Sequence, residues 1–165
     1  MNERLDAEPI LIAGVGNIFL SDDGFGSAVA NLLLSGDVPD GVRVVDYGIR
    51  GVHLAFDLSE SVRTLILVDT VPDAGGPGSI VVQAVDPASY GSATFDAHSM
   101  DPNTVLTSVA ALGDSMPRTL VIGCQPACLD DGIGLSPVVE AAISVAAQKA
   151  LELATSELDS MKGIR

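Results

Sequence analysis

The chain has 165 residues, 47% of them hydrophobic, and its 22 acidic and 8 basic side chains leave a formal charge of -14. That length suits one domain with its own core, without disulfide or metal staples. The charge repels phosphate backbones and excludes nucleic acid as a partner, and no apolar run approaches the roughly 18 residues that a membrane span needs. Residues Met1 to Glu8 carry Glu3, Asp6 and Glu8 and have neither the basic start nor the apolar stretch of a secretory signal, so the expected location is cytoplasmic.

In chain order, the apolar run Ile10 to Val15 predicts a buried strand, and Phe25, Ala28, Val29, Leu32 and Leu33 predict a helix over Asp23 to Leu34. Between them lies Gly14-Val15-Gly16-Asn17-Ile18-Phe19-Leu20-Ser21-Asp22-Asp23-Gly24-Phe25-Gly26, a loop with paired carboxylates at a helix start. One Asp can serve as the N-cap, which leaves the other to be explained. A strand over Val42 to Asp46, a helix over about Val52 to Glu60 and a strand over Thr64 to Asp69 follow. Pro72, Gly75, Gly76 and Pro77 then mark a turn-rich break leading to an antiparallel or edge strand over Ser79 to Val85. The irregular segment Asp86 to Met100 is long enough to suggest a functional loop. A helix over Asp101 to Leu112, a strand over Thr119 to Gly123 and a helix from Ser136 to about Leu158 complete the pattern. Asp101-Pro102 and Ser136-Pro137 each put a capping residue before a proline at the first helical position. Strands alternating with helices predict a three-layer α/β/α sandwich around a mostly parallel, five-stranded twisted sheet, a single domain over 1–165 with its core at about 10–154.

Ligands of open parallel sheets gather outside the carboxyl ends of the strands, which selects Gly16 with Asp22 and Asp23, then Asp46, then Asp69. Asp69 directly follows Leu65-Ile66-Leu67-Val68, where an unpartnered carboxylate would be costly to desolvate, so it needs a metal, an amide or a basic side chain. Of the two histidines, His98 lies in the long loop before a capped helix and suits a ligand or proton carrier; His53, inside a predicted helix, is the weaker candidate. One carboxylate of the first loop, Asp69 and His98 make an oxygen, oxygen, nitrogen set compatible with nickel, zinc or manganese. Cys124 and Cys128 are separated by three residues rather than the two of common zinc and redox pairs, and read as reduced or buried thiols. Gly14-Val15-Gly16 opens as a dinucleotide fingerprint would, but Phe19 holds its third glycine position and acids follow where a pyrophosphate would approach.

The Gly14-Val15-Gly16-Asn17 opening, Asp22-Asp23-Gly24-x-Gly26, the strand ending in Asp69, Asp96-Ala97-His98 before a helix, and Gly132-Ile133-Gly134-Leu135-Ser136-Pro137 together resemble the nickel-iron hydrogenase maturation endopeptidases, from Ile10 to about Leu153. The resemblance implies a cytoplasmic, metal-assisted, aspartic-type endopeptidase that removes the C-terminal extension of a hydrogenase large-subunit precursor after nickel insertion. It places the metal-contacting and catalytic roles on Asp23, Asp69 and His98. Some relatives carry Glu where this chain has Asp23, which keeps Asp22 as a substitute. The implied nickel arrives with the precursor, and the resting enzyme is expected to hold no metal or an adventitious cadmium or zinc ion. The competing reading from a different class is a noncatalytic α/β module for a nucleoside or cofactor, with its carboxylates capping helices or binding ribose.

Overall fold

The computed structural model describes residues 8–58, 61–86 and 116–163. Strands β1 (Ile10–Val15) and β3 (Thr64–Thr70) are buried at every position, which requires helices on both faces of the sheet and explains why they read as continuous apolar runs. β2 (Val42–Gly48), β4 (Ile80–Ala84) and β5 (Arg118–Cys124) complete a sheet of order β2-β1-β3-β5-β4. The β1–β2, β1–β3 and β3–β5 pairs are parallel, and the edge strand β4 runs antiparallel to β5.

Alternate strand residues feed opposite cores, as a period of two dictates. Ile10, Ile12, Ile66, Val68 and Ile122 pack against α1 (Phe25–Leu34), α3 (Pro137–Glu140) and α4 (Ile143–Lys162). Leu11, Ala13, Leu65, Leu67 and Val121 pack on the other side with Leu54 of α2 (Gly51–Asp57). Ala146, Ala150 and Ala154 face the first core from α4, and their small side chains bring that helix close to the sheet. The α/β/α layering and the mostly parallel five-stranded sheet are those expected from the sequence.

Local departures have physical causes. Helix α1 begins at Phe25 instead of Asp23 because Ser21–Gly24 form a 3-10 turn, and its N-cap is Gly24. Neither Asp22 nor Asp23 therefore caps it, which corrects the capping expectation. The last helix is divided at Ala141 and Ala142: both keep right-handed helical dihedrals, but the Ala142 amide donates three residues back to Val139 O, tightening one turn. It also continues to Lys162. The expected helix over Asp101 to Leu112 and the segment 87–100 lie outside the described residues. Among the described residues, no helix is long and apolar enough to cross a membrane.

Candidate active site

The first loop is shaped by close backbone approach. Gly16 has φ +138°, in the region that favours glycine, and an added Cβ would collide with the Asp23 carbonyl oxygen. At Gly26 an added Cβ would run into the carbonyl oxygens of Val15 and Val68, so glycine here lets the start of α1 settle onto the ends of β1 and β3. That descent places the loop's carboxylates over β3.

Asp23 and Asp69 meet across Thr70. The Thr70 hydroxyl donates to Asp23 Oδ1 at 3.0 Å, and the Thr70 amide donates to Asp69 Oδ1 at 2.7 Å. The Asn17 amide donates to Asp23 Oδ2 at 2.8 Å. Asp69 Oδ1 also lies 3.7 Å from the position of a Cβ on Gly16, so both acids border the same glycine. Asp69 is fully buried and Asp23 is 5% exposed. No described Lys or Arg forms an ion pair with Asp23. Each of its oxygens accepts a single hydrogen bond within the described residues, which leaves lone pairs for an incoming cation. The described residues include no group of three His, Cys, Asp or Glu side chains placed to hold a metal. His98, the expected third member, lies outside them.

Asp22 is engaged differently. Its Oδ2 accepts from the amides of Ala127 and Cys128 at 2.8 and 2.9 Å and from the Ser136 hydroxyl at 2.8 Å; its Oδ1 accepts from the Ser136 amide at 2.6 Å. Burial by itself would raise this carboxyl, but the donors on Ser136, Cys128 and Ala127 together outweigh it and hold the group below its ordinary value of 3.8. With four donors on two oxygens, Asp22 is a clamp that ties the first loop to the loop after β5. A Leu20–Gly132 bridge and the Ser21 amide on Gly132 O, 2.9 Å, strengthen the same seam. Ser136 does precede a helix with proline at its start, as expected, but its hydroxyl goes to Asp22 instead of to that helix.

Asp46 also has a positioning part. It accepts from the Ser27 hydroxyl at 2.7 Å and from Asn31 Nδ2 at 3.1 Å, tying the end of β2 to α1. His53 is exposed on α2. Cys124 is buried and Cys128 partly so; both are free thiols, and burial, aided by the Asp22 charge, pushes the Cys124 thiol up to about 11. The sequence reading missed Thr70, whose only signal was its place directly after Asp69, and it missed the Asp22 clamp, whose partners lie more than 100 positions away. A recess of about 1090 Å³ between α1 and α4, lined in part by Leu32, Leu33, Leu151 and Glu152, shares no residue with these groups.

Fold and edge together define an α/β protein whose candidate site is a set of acids at the carboxyl ends of parallel strands, an arrangement that repels nucleotide phosphate. The chain belongs to the hydrogenase maturation protease family, a sequence model of which matches residues 28–153. It is 32% identical over 161 residues to the hydrogenase expression/formation protein HupD of Rhodobacter capsulatus, covering 94% of this chain and 76% of that protein. It is 29% identical over 145 residues to the hydrogenase 2 maturation protease of Escherichia coli, covering 86% and 88%. The solved structure of the hydrogenase maturating endopeptidase HybD from E. coli superposes with a TM-score of 0.73 at 26% identity, covering 90% of this chain and 93% of that one.

Proposed function

We propose that this chain removes the C-terminal extension of a nickel-iron hydrogenase large-subunit precursor, and that Asp23, Asp69 and His98 sense nickel carried by that precursor. Membership of the hydrogenase maturation protease family supports the endopeptidase over the nucleoside-binding or cofactor-binding module. The observation that carries the metal reading is the pairing across Thr70 of two buried carboxylates, Asp23 on the glycine-lined first loop and Asp69 near the end of β3, with lone pairs of Asp23 left open. Carboxylate oxygens that share Thr70 are donors of the kind a divalent cation takes. Asp22 takes no part in this reading, because its oxygens are already occupied.

A nickel ion held by the precursor and met by these side chains would polarise the scissile carbonyl or lower the pKa of an attacking water, which supplies transition-state stabilisation without a serine or cysteine nucleophile. The metal is thereby part of the substrate, and a precursor lacking it presents nothing for the carboxylates to engage. The test is to incubate the purified chain with large-subunit precursors, nickel-loaded and nickel-free, and to read the C-terminal mass. Loss of the extension from the loaded form alone is the expected result. Equal cutting of the nickel-free form would defeat metal sensing, and intact precursor under every condition would defeat the endopeptidase reading.

A further inference from the structure

We infer that Arg50 is a specificity residue that receives a carboxylate of the precursor's C-terminal extension; the inference rests on the endopeptidase reading above. Basic side chains are scarce in this chain, and their placement is uneven. Arg43 pairs with Glu8, Arg118 with Glu157 and Lys149 with Glu152. Arg63 directly precedes β3 at the opposite edge of the sheet, and Lys162 ends α4. Among the described residues, Arg50 is the one Lys or Arg at the carboxyl edge, where Asp22, Asp23, Asp46 and Asp69 collect, and no described carboxylate lies within ion-pair distance of it.

Its guanidinium is held ready. Nε donates to Tyr47 O at 3.3 Å and Nη2 to Asp46 O at 3.2 Å, so two carbonyls fix its direction while other N–H groups stay available. Arg50, just before α2, and His53 and Phe56 within it follow at intervals of three and, with Tyr47 and Asp57, line a recess of about 260 Å³. Phe56, 71% exposed, gives the recess an apolar wall. The Gly16 amide donates to Gly48 O at 3.0 Å, so this loop adjoins the one that carries Asp23. An extension leaving the cleavage site across β2 passes Asp23, Asp69 and Asp46, and in the recess Asp57 already accepts from the Tyr47 hydroxyl at 2.8 Å, so Arg50 is the described cation open to it. A carboxylate on that extension, from an Asp or Glu side chain or from the terminal residue, is the group this cation selects.

The test measures processing and direct binding of nickel-loaded precursor by the full chain and by its Arg50→Gln, Arg50→Glu and Arg50→Lys variants. KM and the binding constant should rise about fivefold to tenfold for Arg50→Gln and further for Arg50→Glu, with kcat changing less and Arg50→Lys recovering part of the loss. Two altered precursors separate the sources: one with the acidic side chains of its extension converted to amides, the other with an amidated terminus. The one that erases the difference between wild type and Arg50→Gln names the carboxylate. Unchanged KM and binding in Arg50→Glu, or a difference that survives in both altered precursors, overturns the inference. Wild-type chain that binds precursor yet never cuts it would instead count against the endopeptidase reading, and the binding comparison would still decide the role of Arg50.

Discussion

Replacing Asp22 with Asn separates the clamp carboxylate from the neighbouring one proposed to meet the metal. The Asp22 side chain is fully buried and accepts four hydrogen bonds from residues 105 to 114 positions away, three of them from backbone amides. In Asp22→Asn one oxygen becomes an NH2; placed at Oδ1, where it costs least, it leaves the Ser136 amide without its acceptor, at about 1 to 3 kcal/mol. A loss of about 1 to 3 kcal/mol follows, and in a domain of this size each kcal/mol lowers the melting midpoint by about 2 to 4 °C. Urea unfolding should move to a lower midpoint with little change in slope. The wild type should also lose stability in acid: the folded carboxyl lies below its ordinary 3.8, so the unfolded chain binds the proton first as pH falls past that value. This contribution is complete at higher pH, fades as the folded group titrates, and is missing in Asp22→Asn. An Asp22→Asn protein within about 0.5 kcal/mol of wild type, with the same acid profile, would refute the clamp.

Asp23→Asn should do the reverse, keeping the urea midpoint within about 1 kcal/mol, since an amide oxygen can still accept from Asn17 or Thr70, while ending release of the extension as read by mass. Asp69→Ala and His98→Ala should likewise abolish processing of nickel-loaded precursor, and full processing by both would remove them from the site. Gly26→Ala should lower stability by about 1 to 3 kcal/mol in thermal unfolding, because the new methyl meets rigid backbone, the Val15 and Val68 carbonyl oxygens and the Val15 nitrogen. Cys124, with its thiol raised to about 11 by burial and the Asp22 charge, should resist iodoacetamide at pH 8 in the folded protein and label on unfolding, as mass spectrometry would show; labelling in the native state would contradict its burial.

How far the site could be read from the sequence differed by residue. Asp69 is legible because it stands at the end of a fully apolar run, where a carboxylate needs a partner, and the first loop is legible from its paired acids. Asp22 and Asp23 could not be told apart by position, since both precede the same apolar helix and either reads as its cap. Their division depends on which side chain turns toward Thr70 and which toward the loop after β5. Arg50 gave no signal, because an isolated arginine beside glycines looks like any solvated loop residue until its carbonyl tethers and its place among acids are visible.

By itself the sequence determined the strands, the helix on each side of β2, the antiparallel edge at β4 and the family resemblance, all properties set by local periodicity, turn chemistry and motif order. Only the tertiary structure decided that the last helix tightens at Ala142, that the first loop needs a 3-10 turn before α1, and that Asp22 grips Ala127, Cys128 and Ser136 while Asp23 and Asp69 share Thr70. The physical reason is range. Hydrophobic periodicity is written into neighbouring residues, whereas a carboxylate's role is set by whichever donors the fold carries to it from distant parts of the chain.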